Sequence, residues 1–327
     1  MIGIGTSLLF DGDGGRKAAF HNSLVDAWFM SGYSNENPPE EVVGVKGGKM
    51  ALKNFAFKLN SGFGKYNVDF KLFSYNTSRG DAEVTSSTII IKKSTIAKYP
   101  IIYTKAPNPS FKIKITNIPE EHSLRIGDMD ISEDGVYTIP VLSGGHLGFG
   151  TSTVLDSCNI TITQLPSAYD GYLCFDGVDD YALWNSSPLL EDYTLICKRK
   201  WFNTDLGSTR AIASKRKAGM AIDGAFIFER IDIYAARAVN YGYTTPIEIS
   251  QQDVVYQTAS SYNGHYALKR GTLKDTELLS LGSAGPGYEF AQCAIAYFAL
   301  YSRTLTTQEI EKEKVKLEAE WNKRLIK

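Results

Sequence analysis

Apolar and polar residues alternate along much of this chain, which is the period of a β-strand with one buried face. Segments 66–72 and 111–116 place every second residue on one apolar face, and residues 88–91 form a β-branched run. Turn-forming Gly, Pro and Asp residues separate these segments. The pattern predicts a small antiparallel β-sandwich over residues 66–166.

Short apolar runs recur beyond residue 170, after a predicted linker at Pro166–Gly171. The last of them, Cys293–Tyr301, is apolar almost throughout, which is typical of a central strand covered on both faces. We therefore predict a second sandwich over residues 170–304 and an all-β fold class with two β-sandwich-like modules.

The first 65 residues show a less regular pattern. Turn signals lie at Asp11–Gly15 and Asn35–Pro39, and the intervening Ser23–Met30 could form a strand or a short helix. We predict an irregular N-terminal arm with partial strands over residues 1–65.

An amphipathic helix is predicted for residues 305–327. Thr306 and Glu309 fit a capping box, in which each side chain bonds a backbone N–H at the helix start. Apolar residues at helical spacing form one stripe that would pack on the sandwich or on a neighbouring chain. The predicted interface residues are Leu317, Trp321 and Leu325.

Composition provides no overall basic charge. The 327 residues carry 35 Lys and Arg against 36 Asp and Glu, a formal net charge of −1, so nucleic-acid binding is not expected. The sequence contains no segment of 18 apolar residues, so membrane insertion is not expected. The N-terminal residues lack the pattern of a secretory signal. We expect synthesis in a cytoplasm and, for any role outside a cell, release by another route such as a virus particle. The four cysteines lack CxxC spacing and lie in apolar runs, which favours buried thiols.

Two motifs resemble the laminin-G-like, concanavalin A-like lectin/glucanase domains. Leu173–Tyr181 is similar to the L-x-F-D-G-x-x-D-Y opening of those domains, and Ala296–Ile310 is similar to their closing x-L-Y-x-R-x-L-S-x-E-E-I signature. Glu191–Cys197 resembles the strand that follows the opening, with Tyr193 at the usual Phe position. The resemblance covers residues 170–312 and implies a jelly-roll sandwich followed by the C-terminal helix.

The two-part layout also resembles structural proteins of phages and prophages of gut Bacteroides-type bacteria. This resemblance implies a non-catalytic virion protein, such as a head decoration, tail or fibre component. Its expected partners are other virion proteins or further copies of itself, with host surface glycans as an additional option, and its expected location is the virion. The alternative is a bacterial carbohydrate-binding protein, and a glycoside hydrolase is less favoured.

Members of the resembled fold often hold Ca²⁺ at the sandwich rim, which makes Asp176, Asp179 and Asp180 candidate ligands. The other interpretation is a tight turn, because Asp side chains accept bonds from backbone two residues on. No other cofactor is expected.

Catalysis finds little support in the sequence. A glucanase would place paired carboxylates on one strand, and the nearest pair, Glu229 and Asp232, is better explained as surface charge. We therefore predict no enzyme activity and no catalytic residues.

Aromatic and amide side chains near predicted loops form the candidate binding set for sugar or protein. Aromatic faces can stack on sugar rings while amides and imidazoles bond the hydroxyls. Turn chemistry or a protein contact would explain the same residues equally well. The set is Tyr181, Trp184, Asn185, Tyr262, Asn263 and His265.

Overall fold

A computed structural model of the protein describes residues 19–141, 146–216, 224–272 and 274–326. The chain divides into two compact units: unit 1 comprises residues 1–55 and 171–327, and unit 2 comprises residues 56–170. Both are built from antiparallel strands, and one long helix ends the chain. The predicted all-β fold class with sandwich modules and a C-terminal helix is confirmed.

Unit 1 begins with three strands from the N-terminal part of the chain. They are β1 (Leu24–Phe29), β2 (Glu41–Val43) and β3 (Lys49–Lys53).

Unit 2 follows, with a 3₁₀ turn at Phe70–Leu72. Its strands are β4 (Gly62–Lys65), β5 (Ser74–Tyr75), β6 (Gly80–Val84), β7 (Thr88–Ser94), β8 (Pro100–Thr104), β9 (Phe111–Thr116), β10 (Leu124–Ile126), β11 (Met129–Ile131), β12 (Gly135–Ile139), β13 (Leu147–Thr151) and β14 (Ile160–Leu165).

The chain passes back into unit 1 within β15. The remaining elements are β15 (Ala168–Asp176), β16 (Tyr181–Trp184), β17 (Thr194–Trp201), β18 (Arg210–Arg216), β19 (Gly224–Ile231), β20 (Ala236–Asn240), β21 (Tyr243–Pro246), β22 (Val254–Thr258), β23 (Ser261–Tyr262), β24 (Tyr266–Ala267), β25 (Leu279–Leu281), β26 (Ser283–Gly285), β27 (Tyr288–Phe290), β28 (Gln292–Tyr301) and α1 (Thr307–Leu325).

Unit 2 is a sandwich of two five-stranded sheets, ordered β11-β10-β13-β8-β5 and β12-β9-β14-β7-β6. The alternating residues of β9 behave as predicted, with Phe111, Ile113 and Ile115 buried in the core. The alternation at residues 66–72 does not form a strand. The Asp69 side chain accepts the backbone N–H of Lys71 at 2.9 Å and starts the 3₁₀ turn, which leaves Leu72 82 % exposed.

Unit 1 is a sandwich of two larger sheets. One runs β24-β23-β22-β17-β28, with β1 and β15 both pairing with the far side of β28. The other runs β2-β3-β16-β25-β18-β19-β20-β21. Aromatic pairs such as Trp28–Trp184 (ring centroids 5.2 Å apart) and Tyr193–Phe226 (5.0 Å) join the sheets, so the core lies between them.

The N-terminal residues differ from the predicted arm. Ser23–Met30 contains strand β1, which pairs with β28 from Leu24↔Tyr301 to Phe29↔Tyr297, and β2 and β3 extend the opposite sheet through the pairing of β3 with β16. Residues 24–53 thus supply strands to both sheets of unit 1, because their apolar side chains complete its core. The predicted turn at Asp11–Gly15 and the rest of residues 1–18 lie outside the described residues.

Hydrogen bonds to Asp26 hold these N-terminal segments together. Its buried carboxylate accepts backbone N–H groups of Ala27 (2.7 Å), Lys46 (2.8 Å) and Gly48 (2.6 Å). A Cβ at Gly44 would lie 2.3 Å from this carboxylate, so the close approach requires glycine there. Burial raises the pKa of Asp26, while the three N–H bonds oppose that rise.

Helix α1 has the predicted capping box at Thr306 and Glu309 and packs on unit 1 itself. Leu317 and Trp321 are buried, and the Trp321 Nε1–H donates to the Gly171 carbonyl at 3.0 Å. The Lys198 ammonium lies 3.7 Å from the Trp321 ring centroid. The predicted interface residues Leu317 and Trp321 therefore make contacts within the chain, and Leu325 is half-buried beside Gly171.

The four cysteines are buried, as predicted. Burial raises the pKa of the Cys197 and Cys293 thiols, so both stay protonated at neutral pH. Among the described residues, no helix combines the length and the hydropathy that a membrane crossing requires.

Candidate ligand-binding site

The Asp176–Asp180 turn joins β15 of one sheet to β16 of the other sheet of unit 1. Asp176 Oδ1 accepts the Val178 N–H at 2.8 Å, and Asp180 Oδ2 accepts the Asp176 N–H at 3.0 Å. Asn54 Nδ2 also donates to the Asp179 carbonyl at 3.0 Å. These bonds are the turn chemistry that the sequence suggested as one interpretation.

The same turn brings three carboxylates together. One oxygen from each of Asp176, Asp179 and Asp180 lies within 4.8 Å of the others, and Asp180 is fully buried. Oxygen donors of this kind suit Ca²⁺. Ca²⁺ binding stays a prediction, because the hydrogen bonds of the turn already account for two of the three carboxylates.

The predicted sugar-binding residues fall into two sets on different sheets. Tyr181 and Trp184 lie on β16, where each is half-buried, and Asn185 follows them exposed. The Trp184 ring packs edge-on against Trp28, and the Tyr181 ring lies 6.1 Å from Phe290. These aromatic rings serve partly to complete the core.

The second set lies at β23, in the opposite sheet. Tyr262 is 1 % exposed, so its ring cannot stack on a sugar, and this part of the prediction is corrected. Asn263 is buried at a φ of +48°, a conformation that Asn tolerates in turns, and His265 is exposed. At this short strand, the sequence pattern did not show whether the Tyr262 side chain points into the core or toward the surface.

Tyr262 is buried because it bonds to a carboxylate inside the sandwich. Its hydroxyl donates to Glu229 Oε1 at 2.6 Å, and the Trp201 Nε1–H donates to Glu229 Oε2 at 2.8 Å. Arg199 holds the same carboxylate with two bonds, of which Nε–Oε2 is 2.7 Å. Glu229 has no exposed surface and takes a φ of +47° at a bulge between β19 and β20.

This network corrects the interpretation of Glu229 as a surface charge. The same correction applies to Asp232, which is buried at the β19–β20 turn: its Oδ1 accepts the N–H groups of Tyr234 and Ala235, and its Oδ2 pairs with Arg237 at 2.9 Å. Burial alone would lower the pKa of Arg199, but the charge and hydrogen bonds of Glu229 raise it. The positive φ of Glu229 breaks the alternation of β19, so the spacing of Glu229 and Asp232 could not predict which side chain points inward.

A cleft of about 1020 Å³ lies at one end of unit 1. The segments that line it follow strands β16, β20, β22, β24 and β28, so it is built from loops at the sandwich end, where binding sites commonly lie. Ser260, which begins the Tyr262 loop, is among the lining residues. Tyr262, Asn263 and His265 of this loop were predicted as binding residues from the sequence, but the cleft was not, since the other loops that line it are far apart in the sequence.

Tyr241 and Arg270 form part of the cleft wall. The Tyr241 hydroxyl donates to the Leu190 carbonyl at 2.8 Å, and the Arg270 guanidinium carbon lies 4.1 Å from the Tyr241 ring centroid. Arg270 also donates to the Glu191 carbonyl. Burial, followed by the charge of Asp275, raises the pKa of Tyr241 to about 12, so its hydroxyl stays protonated at neutral pH.

Two carboxylates fix the loops around the cleft. Asp192 Oδ2 accepts the Thr304 N–H at 2.7 Å, and Asp275 Oδ2 accepts the Leu190 N–H at 2.7 Å. Asp275 also pairs with the buried Lys215 ammonium at 2.8 Å. Burial lowers the pKa of Lys215, and the Asp275 charge opposes that shift.

The exposed groups of the cleft include both donors and acceptors. Arg270 and Lys274 supply positive charge, Glu191 supplies negative charge, and Ser260 and Thr272 supply hydroxyls. This mixture can bond a ligand rich in hydroxyl groups, which both donate and accept hydrogen bonds.

Comparison with protein-family models finds no match, and comparison with curated proteins finds no significant one. Among solved structures, Trypanosoma rangeli sialidase in complex with sialic acid is similar at 9 % identity and a TM-score of 0.33, over 86 % of this chain and 68 % of that chain. The same sialidase with the inhibitor DANA gives 10 % identity and a TM-score of 0.31, over 85 % and 67 % of the two chains. Similarity at this level establishes neither a shared fold nor a shared activity.

Proposed function

We propose that this protein is a non-catalytic structural and binding protein of the kind carried by phage particles, in which unit 1 acts as a lectin-like module. The observation that carries the proposal is the pairing of β15 with β28, from Leu173↔Ile295 to Asp176↔Gln292. The strands that carry the opening and closing motifs are direct neighbours in one sheet. Thr306 and Glu309 of the closing motif then start α1.

The buried carboxylate of Glu229 is not available for glycosidase chemistry. A glycosidase needs two carboxyl groups that face the substrate, one of them as an acid. Glu229 is fully buried, is ion-paired with Arg199 and accepts hydrogen bonds from Trp201 and Tyr262, so it has no access to a substrate. Its geometry favours stabilisation of the sandwich over acid–base chemistry.

The cleft is the surface through which unit 1 would contact a glycan. Its exposed polar groups come from loops that Asp192 and Asp275 hold in place, so little ordering is required on binding. Its volume of about 1020 Å³ accommodates a short oligosaccharide better than a single small ion.

A glycan array with wild-type protein and an Arg270→Ala variant tests the binding role. Lys269→Ala is a matched control, because Lys269 is exposed on the same loop and does not line the cleft. We expect a defined set of glycans to bind the wild type and the control, with about tenfold weaker binding to Arg270→Ala. Equal binding by all three proteins would exclude the cleft as the glycan-binding site.

Mass spectrometry of purified phage particles tests the structural role. We expect the chain in stoichiometric amount within intact particles. If the chain is absent from particles and binds an oligosaccharide as a monomer, the bacterial carbohydrate-binding alternative is correct.

A further inference from the structure

Unit 2 has a pocket of its own, of about 310 Å³, lined by residues of or next to β8, β10 and β13, the three central strands of one sheet. This volume is near the lower end of the range for ligand cavities, roughly 300–1,000 Å³. It suits one sugar ring better than an oligosaccharide. The side chains that matter for its chemistry are Lys98, Tyr99, Arg125, Asp128 and His146.

One cation of the pocket, Lys98, lacks a carboxylate partner among the described residues, whereas Arg125 is already paired. Arg125 is shared between Asp130, at 3.0 Å, and Asp128, at 3.6 Å. Lys98 is exposed, and within the described ranges it has no carboxylate partner. An anionic group on a ligand would therefore find an ammonium that is not already neutralised.

The pocket also has an aromatic wall. Tyr99 is 55 % exposed, and the guanidinium carbon of Arg79 lies 5.2 Å from its ring centroid. Arg79 Nη1 donates to the Pro100 carbonyl at 3.3 Å, which fixes the guanidinium next to the ring. Tyr99 thus offers apolar surface in a fixed position, which lowers the entropic cost of stacking a sugar ring on it.

We propose that this pocket binds a monosaccharide that bears a carboxylate, such as a uronic acid. The sugar ring stacks on Tyr99, and the carboxylate pairs with the Lys98 ammonium. The aromatic wall distinguishes a sugar ring from a simple anion, and the lysine distinguishes an acidic sugar from a neutral one. Binding at this pocket does not depend on the glycan-binding role proposed for the cleft in unit 1.

Titration of the full chain with glucuronic acid, glucose and acetate, followed by NMR or calorimetry, tests both contacts. Glucose has the ring without the charge, and acetate has the charge without the ring. We expect glucuronic acid to bind at millimolar concentration, and the other two to bind at least about tenfold more weakly. Equal binding of glucose or of acetate, or no binding of glucuronic acid, would overturn the proposal.

Two variants connect the binding to these residues. Tyr99→Ala and Lys98→Asn should each weaken glucuronic acid binding about tenfold. Asn suits the φ of +66° at Lys98, so the backbone is preserved. Lys105→Asn is the matched control, since Lys105 is exposed in unit 2 and does not line the pocket. Unchanged melting temperatures establish that the variants are folded, and unchanged affinity in both pocket variants would refute the assignment.

Discussion

Arg199 of β17 and Glu229 of β19 form a buried ion pair that joins the two sheets of unit 1. Side-chain exposure is 4 % for Arg199 and 0 % for Glu229. Two further N–H groups of Arg199 bond the carbonyls of Ser250 and Gln252, both at 2.9 Å. All three guanidinium nitrogens and both carboxylate oxygens of this pair are thus hydrogen-bonded, which is the condition under which buried charge is tolerated.

Removing the charge of Glu229 should destabilise the protein strongly. Glu229→Gln leaves the Arg199 guanidinium buried without a counter-charge, which costs about 3–5 kcal/mol. The free energy of unfolding from denaturant titration measures the effect. Asp253→Asn is the control, because Asp253 pairs with Lys200 at the surface and its loss should cost about 1 kcal/mol or less. Similar losses of unfolding free energy in both variants would show that the buried pair contributes no more to stability than the surface pair.

Asp26 should prove important for folding although it lies in the segment predicted as an arm. In the wild type, backbone N–H groups bond both oxygens of the Asp26 carboxylate, and Asp26→Asn replaces one of these oxygens with an amide donor. We therefore expect the free energy of unfolding to fall by about 2 kcal/mol or more. Urea denaturation measures it. Glu40→Gln, at an exposed position before the β2–β3 hairpin, should leave the midpoint unchanged. A wild-type midpoint for Asp26→Asn would contradict the role of the carboxylate.

The capping box of α1 should make helix stability depend on pH. Hydrogen bonds from Arg303, and then from the Thr306 backbone, lower the pKa of Glu309 to about 2 from an ordinary value of 4.5. The stabilisation is therefore complete above about pH 4.5 and is lost as the pH falls toward 2. Unfolding followed by circular dichroism should show a smaller acid-dependent loss for Glu309→Gln than for the wild type.

Glu311→Gln is the comparison for that pH experiment. Glu311 lies in the first turns of the same helix and pairs with Lys314 at the surface. Its variant should follow the wild-type pH profile. If Glu309→Gln also follows that profile, the capping carboxylate does not titrate as proposed.

Trp321 should hold α1 on the sandwich. Trp321→Ala removes a buried ring, its bond to the Gly171 carbonyl and the cation–π contact with Lys198, so about 3–5 kcal/mol is expected. Hydrogen exchange should increase along the helix. Val315→Ala is the control, since Val315 is 71 % exposed on the same helix. Unchanged exchange in Trp321→Ala would mean that other contacts anchor the helix.

The Asp176–Asp180 turn gives a direct test of Ca²⁺ binding. If the carboxylates act only in the turn, chelator will not change the melting temperature, and Asp180→Ala will lower it with or without Ca²⁺. A rise in melting temperature on adding Ca²⁺ that disappears in Asp179→Asn would instead establish a metal site. Asp179 is suitable for this comparison because its side chain is exposed.

The sequence by itself determined the fold class and several local features. Period-two alternation predicted β9, the apolar run predicted β28, and the spacing of Thr306 and Glu309 predicted the start of α1. Each of these signals depends on residues close together in the chain, so no tertiary information was required. The failure at Asp69 is also local, because a side-chain bond to the Lys71 N–H competed with strand formation.

Only the tertiary structure decided where the N-terminal strands and the polar side chains lie. β1 pairs with a strand more than 260 residues further along the chain, and no local pattern specifies such a partner. Glu229 points inward because of a positive φ and because Arg199, Trp201 and Tyr262 are there to bond it. The cleft likewise exists only where loops distant in the sequence meet, since burial and charge pairing depend on neighbours that the linear pattern does not contain.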